Sequence, residues 1–475
     1  MKVLAVEDIR RAVLGRWVSR GPEGATVKGV STDTRTAGAG DLFVALKGER
    51  FDGQTFMAQA ARAGCVAAIV PRDAPIPPEL ANAFPGGLIG VEDTTAALGE
   101  LAAWYRRQVS ATVVAVTGSN GKTTVKLMIR HILAKRLAGS CSPKSFNNSV
   151  GVPLTLLAVK PGDDYAVCEV GSNAPGEVVA LGRIVQPDIA VITSVGPTHL
   201  EKLLSVEKVA VEKASLLQTL GKDGLAVVWS DSEWLDKALR AYDQRQIRFG
   251  ESDSADLRLT AYEPVGAGQR FQLNGRFWVD LPVPGRHNAM NALAAIAVAQ
   301  RFSFRQEEAI AALADFSGPE MRLQWVRLGE LTVLNDAYNA NPASMAAAAE
   351  VLADAQGRRK VMVAGDMREL GPQAQEMHEQ TGRDLARRKI DLLIGVGGLG
   401  RYIAKGAAEA HLAAEAFDTV EDAGRAIAAL LRPGDVVLLK GSRATAMERL
   451  LEPIRAAFGE GPVQAPAGAG KGAKQ

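Results

Sequence analysis

The feature that most constrains this chain is a strand pattern that ends in a glycine turn and continues as an amphipathic helix. Residues 112–117 read TVVAVT, a continuous apolar run typical of strands that are covered on both faces. The helix pattern after the turn has apolar residues at Val125, Met128, Ile129, Ile132 and Leu133. These positions form one stripe, as in a helix that packs on a sheet, so the segment predicts a parallel α/β fold.

The glycine turn has the composition of a phosphate-binding loop. It comprises Gly118, Ser119, Asn120, Gly121, Lys122, Thr123 and Thr124. It is shorter than the full GxxxxGK[ST] pattern, because Val116 stands where that pattern has its first glycine. Backbone N–H groups can still converge on an anion here, Lys122 can reach outer phosphates, and the Thr123 hydroxyl can bind Mg²⁺. We therefore predict ATP and Mg²⁺ at this loop; the alternative is a plain turn with a solvent-exposed lysine.

The alternation of apolar runs with helix patterns continues along most of the chain. Strand candidates after the first run lie at 165–170, 188–195, 225–230, 331–336, 360–365, 391–396 and 435–440. Before residue 108 the strand candidates are shorter, at 40–46 and 65–70, and a helix is predicted at 94–109. These patterns predict a three-domain α/β protein with a mainly parallel central sheet and a Rossmann-like third unit. The predicted bounds are 1–108, 109–316 and 317–457, with a disordered tail at 458–475.

Charge and composition exclude several classes of protein. Lys and Arg number 55 and Asp and Glu 53, so no overall field attracts nucleic acid or an anionic membrane. The sequence has no apolar run long enough to predict a membrane span, and charges interrupt the N-terminal apolar residues, so we expect a cytoplasmic protein. The three cysteines are widely spaced, which argues against a disulfide framework or a zinc site.

Three further residues carry chemistry that a phosphate-transfer site needs. Glu169 stands near the end of the strand predicted at 165–170, where ligands of parallel sheets collect, and its carboxylate suits Mg²⁺. His199 follows the end of the strand predicted at 188–195. Lys213 lies in a predicted helix, and addition of CO₂ to its amine would give a negatively charged carbamate. The alternatives are a strand-end acid in solvent, a packing or surface histidine, and an ordinary solvated lysine.

Ten short motifs in one order carry a resemblance to a known family. They are STDTR, GDLFVALKG, TGSNGKTT, NNSVGVPLT, EVGSNAPGE, PTHLE, GRHNAMNALAA, DAYNANPASM, GDMRELG and KGSR. With them the chain resembles the Mur ligase family, ATP-dependent amide-bond ligases of peptidoglycan precursor synthesis, up to about residue 455. The resemblance implies a first domain for a uridine nucleotide, a second for ATP and a third that closes over the site. DAYNANPASM and GDMRELG resemble motifs of the members that add D-alanyl-D-alanine to UDP-N-acetylmuramoyl-tripeptide. A monomer without nucleic-acid partners is expected.

The resemblance also implies roles for individual residues. Lys122 and Thr123 would hold ATP phosphates and Mg²⁺, while Glu169, His199 and a carbamylated Lys213 would bind metal. Nucleotide base and ribose contacts fall on Asn288, Asn291 and Asp336. Uridine-diphosphate contacts fall on Thr34, Arg35 and Lys47, and positions near the substrate and phosphate fall on Asn147 and Asn148. Asn339 and Asn341 would help to shape the closed site. Asn341 is also predicted to be the N-cap of a helix that begins at Pro342. Alternatives remain open: Asn288 as a helix N-cap, and a purely structural turn for Asn339 and Asn341.

The chain departs from the family pattern at two positions and leaves rival functions open. Gln54 and Ala174 both stand where histidine is usual, and no role is assigned to position 174.

Within the superfamily, the acceptor could be another amino acid, or glutamate added to folate. Outside it, GVGGLG at 395–400 with Asp418 beyond it matches a NAD-binding fingerprint, which would indicate an oxidoreductase. A nucleotide-binding scaffold without turnover is the third alternative. The sequence does not specify the third residue of the tripeptide.

Overall fold

A computed structural model describes residues 1–48 and 51–460. The N-terminal part holds a two-stranded antiparallel pair and a five-stranded sheet of order β2-β7-β6-β5-β4, in which only β2 runs antiparallel. Its strands are β1 (Leu4–Ala5), β2 (Arg16–Arg20), β3 (Thr26–Val27), β4 (Gly29–Ser31), β5 (Asp41–Val44), β6 (Ala67–Pro71) and β7 (Gly87–Val91). Its helices are α1 (Val6–Ala12), α2 (Met57–Arg62), α3 (Pro78–Asn82) and α4 (Thr94–Arg106). The two strands and the helix predicted in this part are confirmed, with shorter bounds.

The central part is built on one nine-stranded sheet of order β16-β15-β14-β13-β12-β11-β8-β10-β9. Its strands are β8 (Thr112–Thr117), β9 (Gly139–Cys141), β10 (Tyr165–Glu169), β11 (Ile189–Ile192), β12 (Leu225–Trp229), β13 (Arg245–Gly250), β14 (Leu257–Val265), β15 (Gly268–Leu273) and β16 (Phe277–Leu281). Its helices are α5 (Lys122–Leu133), α6 (Gly151–Leu157), α7 (Glu177–Val185), α8 (Leu200–Leu203), α9 (Val206–Ala214), α10 (Glu233–Leu239), α11 (Arg286–Arg301) and α12 (Gln306–Leu313). The pairs from β9 to β14 are parallel, and β14–β16 form an antiparallel edge that the sequence patterns did not predict.

Strand β8 is covered on both faces, as its continuous apolar run predicts. Val114 and Val116 pack into the cluster that contains the apolar stripe of α5 and most of α11. Val113 and Ala115 point to the other face, where they join the cluster formed with α4, α6 and α7. Two packed layers therefore fix the position of the glycine turn that follows β8.

The C-terminal part forms a six-stranded sheet of order β17-β18-β22-β19-β20-β21, with β17 as its antiparallel edge. Its strands are β17 (Gln324–Leu328), β18 (Leu331–Asp336), β19 (Arg359–Gly365), β20 (Leu392–Val396), β21 (Ala414–Phe417) and β22 (Asp435–Lys440). Its helices are α13 (Pro342–Asp354), α14 (Ala374–Ala386), α15 (Gly400–Glu409), α16 (Val420–Leu430) and α17 (Leu451–Phe458).

The α/β fold class with a mainly parallel central sheet is confirmed by the five-, nine- and six-stranded sheets. The domain boundaries at 108 and 316 stay predictions. Helix α17 runs through Phe458, so the predicted tail starts too early, and its residues 461–475 lie outside the described residues. Over residues 1–48 and 51–460, no helix combines the length and apolar character that a membrane span requires.

Candidate active site

The turn between β8 and α5 has a shape that only glycine permits at two positions. Gly118 has φ 143° and Gly121 φ 84°. A Cβ at Gly118 would lie 2.1 Å from Thr193 Oγ1, and one at Gly121 would lie 2.4 Å from Asn291 Oδ1. The loop is therefore held between β11 and α11, and its backbone is preset for a ligand at the N-terminus of α5.

Lys122 is turned back over this loop. Its Nζ donates to the Gly118 carbonyl oxygen at 2.7 Å and lies 3.4 Å from the Ser119 carbonyl oxygen. Burial lowers the pKa of the Lys122 ammonium, with Glu169 acting in the opposite direction. An anionic ligand in the loop would give this cation a stronger partner than the neutral carbonyls.

Glu169 lies next to the loop because β10 pairs with β8, with Glu169 opposite Val116. The carboxylate is buried, with 1% of the residue exposed, so the solvated strand-end acid is ruled out. Its Oε2 accepts from Thr123 Oγ1 at 3.0 Å and its Oε1 accepts from Asn147 Nδ2 at 3.0 Å. A hydroxyl and a carboxylate at this distance supply the oxygen ligands that Mg²⁺ prefers.

The described residues hold no group of three or more His, Cys, Asp or Glu side chains that could share a metal ion. This donor set still fits Mg²⁺, because that ion keeps several waters and takes the rest of its ligands from one or two protein groups and from phosphates. A protein cage for the ion is therefore not required at Thr123 and Glu169.

The paired asparagines of α11 face one side, as their spacing predicts. Asn291 Nδ2 donates to Asn288 Oδ1 at 3.0 Å, and Asn288 Nδ2 donates to the Pro284 carbonyl oxygen at 2.7 Å. The alternative of an N-cap at Asn288 is excluded, because α11 begins at Arg286 after Gly285. The helix starts earlier because Gly285, at φ 98°, makes the turn from the preceding segment.

Residues of the C-terminal part close the opposite wall of the same cavity, which has a volume of about 640 Å³. Arg322 Nη2 donates to Thr123 Oγ1 at 3.2 Å, and its guanidinium stacks on the ring of Tyr338 at 4.1 Å. Asn341 caps α13 as predicted, and its Nδ2 also donates to Asn120 Oδ1 at 2.8 Å. The cavity therefore brings the phosphate-binding loop and two segments of the third sheet together.

Asp336 lies at the end of β18 and on the wall of this cavity. Its Oδ2 accepts from Lys440 Nζ at 2.5 Å, and Lys440 also donates to the Asn339 carbonyl oxygen at 3.0 Å. Lys440 is buried and balances the charge of this carboxylate. The other oxygen of Asp336, Oδ1, accepts from the Leu323 N–H at 3.2 Å.

His199 lies on the wall of the same cavity as Glu169, whereas Lys213 is not among the residues that line it. His199 Nδ1 contacts the Glu369 carboxylate, which joins the central part to the GDMRELG loop. Lys213 is fully buried, and its Nζ donates to Ser172 Oγ at 2.7 Å, so the ordinary solvated lysine is ruled out. Burial, reinforced by the charge of Lys122, lowers the pKa of Lys213 to about 7.

The residues predicted to contact a uridine diphosphate lie outside this cavity. Thr34 Oγ1 donates to Gln59 Oε1 at 3.1 Å, Arg35 pairs with Asp33 at 2.5 Å, and Lys47 is exposed in a β-bridge with Asp52. By contrast, Asn147, Asn148 and Asn339 are part of the cavity wall. The predicted roles of all six residues stay predictions.

The NAD-binding alternative fails on the geometry of its loop. Asp366 Oδ1 accepts from the backbone N–H groups of Leu399 at 2.9 Å and Gly400 at 2.8 Å. These are the groups at the start of α15 that would bind a dinucleotide phosphate. The carboxylate of the protein itself fills that position, so the fingerprint at 395–400 is structural.

Three family profiles match successive parts of the chain. They are described as Mur ligase family, catalytic domain, over residues 26–106; Mur ligase middle domain, over 116–299; and Mur ligase, glutamate ligase domain, over 321–443. The UDP-N-acetylmuramoyl-tripeptide–D-alanyl-D-alanine ligase of Bacillus subtilis is 35% identical over 457 residues, which cover 94% of this chain and 98% of that protein.

The chain belongs to the Mur ligase family.

Other relatives extend this result. The Escherichia coli protein of the same name is 37% identical over 90% of this Mur ligase and 94% of its own length. The crystal structure of MurF from Acinetobacter baumannii aligns with a TM-score of 0.87 at 33% identity, covering 96% of this chain and 99% of that one. MurF from Thermotoga maritima, solved in complex with ADP, aligns with a TM-score of 0.80 at 27% identity.

Several residues of this Mur ligase site could not be assigned from sequence. Arg322 lies in no motif with a stated chemistry, and its partner Thr123 is 199 positions away. Lys440 and Glu369 lie in KGSR and GDMRELG, motifs that the sequence singles out without a role for each residue. Lys126 gives no signal except a lysine within the apolar face of α5, and it is fully buried.

Proposed function

We propose that this chain is an ATP-dependent ligase that joins D-alanyl-D-alanine to UDP-N-acetylmuramoyl-tripeptide, forming ADP and phosphate, in peptidoglycan precursor synthesis. The observation that carries the proposal is the match over more than nine tenths of the chain to relatives that bear this activity in their names. Because ATP and a nucleotide-linked precursor are the substrates, we assign the reaction to the cytoplasm. The monomeric state stays a prediction.

The chemistry requires activation of a carboxylate. The terminal phosphoryl group of ATP moves to an oxygen of the tripeptide carboxylate, giving an acyl phosphate and ADP. The amine of D-alanyl-D-alanine then attacks the carbonyl carbon and forms the C–N bond. The C–O bond to phosphate breaks, the nitrogen loses a proton, and inorganic phosphate leaves. Without activation the carboxylate has no adequate leaving group.

The loop and the residues facing it support phosphoryl transfer. Lys122 lies over the loop and Arg322 donates to Thr123 Oγ1, so negative charge that develops on the transferred group would meet both cations. Thr123 and Glu169 would hold Mg²⁺, which when bound neutralises phosphate charge. Because Arg322 belongs to the C-terminal part, its contribution requires that this part be closed on the loop.

The assignments around the rest of the nucleotide follow the cavity walls. Asn288 and Asn291 are assigned to the adenine, on the side where Asn291 touches Gly121. Asp336 is assigned to the ribose, held in place by Lys440. Asn120 and Gly118 would present the loop backbone to the phosphates.

The substrate carboxylate is assigned to the wall formed by Asn147 and Asn148, beside Glu169. Thr34, Arg35 and Lys47 are assigned to the uridine diphosphate, outside the described cavity. Asn339 and Asn341 shape the closed site from α13 and the segment before it. Closure of the C-terminal part excludes water, which would otherwise hydrolyse the acyl phosphate.

Lys213 is proposed to act as a carbamate. A lysine whose pKa is lowered to about 7 by burial holds its neutral amine near neutral pH, and the neutral amine is the form that adds CO₂. The carbamate would carry a negative charge. It would be a further metal contact, in addition to His199. Ser172 Oγ, at 2.7 Å from Lys213 Nζ, would orient the group.

Phosphate release from ATP tests the proposed function directly. The purified chain is incubated with UDP-N-acetylmuramoyl-tripeptide, with and without D-alanyl-D-alanine, using separate tripeptides that carry lysine or meso-diaminopimelate. We expect release that depends on the dipeptide, with one tripeptide preferred. Equal release with single amino acids, or with glutamate and a folate, would assign the chain to another acceptor. ATP binding without acceptor-dependent release would indicate a scaffold.

A further inference from the structure

Lys126 is a fully buried lysine one helical turn beyond Lys122 on α5. It is not part of the cavity wall, so it reaches its partners from within the protein core. A buried ammonium is costly unless charged and polar groups compensate it, so its partners indicate why it is kept.

The partners of Lys126 belong to two structural units of the site. Its Nζ donates to the Ser142 carbonyl oxygen at 2.9 Å and to the Lys144 carbonyl oxygen, and lies 3.4 Å from Glu169 Oε2. The two carbonyls belong to the segment between β9 and α6. This segment leads directly into Ser145, Asn147 and Asn148 of the cavity wall.

Glu169 is tied to the same segment through other bonds. Ser142 Oγ accepts from the Glu169 N–H at 2.9 Å, and Asn147 Nδ2 donates to Glu169 Oε1 at 3.0 Å. Lys126 is the buried cation of this network, so it both balances the carboxylate charge and fixes the segment relative to the strand end.

We propose that Lys126 is a positioning residue that sets the Glu169 carboxylate and the 142–148 segment in place before Mg²⁺ and nucleotide bind. This inference rests on the proposed function in assigning Thr123 and Glu169 to Mg²⁺. Lys126 itself touches neither substrate nor metal. Partners that orient a metal-binding carboxylate in this way typically change metal affinity by about 10- to 100-fold when removed.

The test measures Mg²⁺-dependent nucleotide binding, without tripeptide or acceptor. Binding of a fluorescent non-hydrolysable ATP analogue is titrated with Mg²⁺ for the full chain and for Lys126→Met, which keeps the apolar stem and removes the charge. We expect the Mg²⁺ concentration at half-saturation to rise by about tenfold or more in Lys126→Met. Lys126→Arg, which keeps a cation, should recover most of this loss. Lys222→Met, at an exposed turn position, should not change it.

A second pair of variants keeps the test decisive when Lys126→Met does not fold. Glu169→Gln removes the carboxylate charge and leaves the Lys126 ammonium with neutral partners only, whereas the double variant with Lys126→Met has no charge at either position. Because the effect of Lys126 on the Mg²⁺ requirement passes through the Glu169 carboxylate, the double variant should need the same Mg²⁺ concentration as Glu169→Gln alone. Two results would overturn the proposal. One is a folded Lys126→Met protein with an unchanged Mg²⁺ requirement, and the other is a double variant that needs a tenfold higher Mg²⁺ concentration than Glu169→Gln.

The outcome is separable from that of the proposed function. If the unaltered chain binds the analogue with Mg²⁺ but releases no phosphate with D-alanyl-D-alanine, the ligase assignment fails. The Mg²⁺ requirements of the unaltered chain and the Lys126 variants can still be compared, and they still test the positioning role. If release occurs and the Mg²⁺ requirement of the folded variants is unchanged, only the role of Lys126 fails.

Discussion

Asn341 Nδ2 donates a hydrogen bond to Asn120 Oδ1 at 2.8 Å, which joins the start of α13 to the phosphate-binding loop. The same side chain caps α13, because its Oδ1 accepts from the Ser344 N–H at 2.9 Å. One residue therefore caps the start of a helix in the C-terminal part and contacts a loop of the central part, 221 positions away in sequence.

The two functions of Asn341 can be separated by substitution. Asn341→Asp keeps a cap that accepts from Ser344 but cannot donate to Asn120, whereas Asn341→Ala loses both bonds. We expect Asn341→Ala to lower the free energy of unfolding by about 1 kcal/mol, and Asn341→Asp to preserve it while lowering turnover. Thermal unfolding and steady-state ATP turnover measure the two effects. Equal turnover in Asn341→Asp and the unaltered chain would contradict a role for the contact in closure.

Removal of the Lys122 ammonium should eliminate catalysis without loss of the fold. Lys122→Ala loses a cation that faces the phosphates, so we expect kcat to fall by at least about 100-fold. Acceptor-dependent phosphate release gives kcat, and circular dichroism reports the fold. Lys222→Ala, at an exposed turn, is the matched control and should keep full activity. Normal turnover in Lys122→Ala would refute the assignment of the loop.

Arg322 should contribute more to turnover than to nucleotide affinity, because it meets the loop only from the C-terminal part. Arg322→Ala removes the contact to Thr123 Oγ1, and we expect a loss in kcat of about 100-fold, with a much smaller change in KM for ATP. Arg322→Lys keeps the charge but loses the planar stack on Tyr338, so it should recover only part of the activity.

Two controls separate this effect from packing. Tyr338→Phe keeps the ring and loses only the hydroxyl bond to Ser145 Oγ at 2.7 Å, so its loss should be smaller than that of Arg322→Ala. Arg327→Ala removes an exposed arginine from the neighbouring edge strand β17 and should be neutral. A rise in KM for ATP with unchanged kcat in Arg322→Ala would assign Arg322 to ground-state binding.

Carbamylation of Lys213 should depend on pH in a defined direction. Since the pKa of Lys213 is lowered to about 7, the reactive neutral amine is present above that pH and is lost as the pH falls through it. Incubation with ¹³C-bicarbonate should give a carbamate carbon signal that persists at pH 8 and declines below about 7. Lys208→Ala, on the exposed side of the same helix, should retain the signal, and Lys213→Ala should lose it.

The activity of Lys213→Ala offers an independent readout. Loss of the amine should greatly reduce turnover, and added short-chain carboxylic acids should restore part of it by supplying the missing negative oxygens. Full activity of Lys213→Ala in the absence of such acids would contradict the carbamate role. A loss that no acid restores, with the ¹³C signal also absent from the unaltered chain, would indicate a structural role for Lys213.

The sequence determined the features that depend on neighbouring residues. The apolar run 112–117, the glycines at 118 and 121, and the Asn341-Pro342 cap each follow from local sterics and short-range hydrogen bonding, and the structure has them at the predicted positions. Register then placed Glu169 beside the loop, as expected for strand ends of a parallel sheet.

Tertiary structure decided what depends on distant residues. Arg322 meets Thr123, Lys440 meets Asp336 and Glu369 meets His199 only because separate sheets pack against one another, and no local pattern encodes such pairs. Local sterics and periodicity act over a few residues, whereas burial and charge pairing act across the folded chain, and only the latter complete this site.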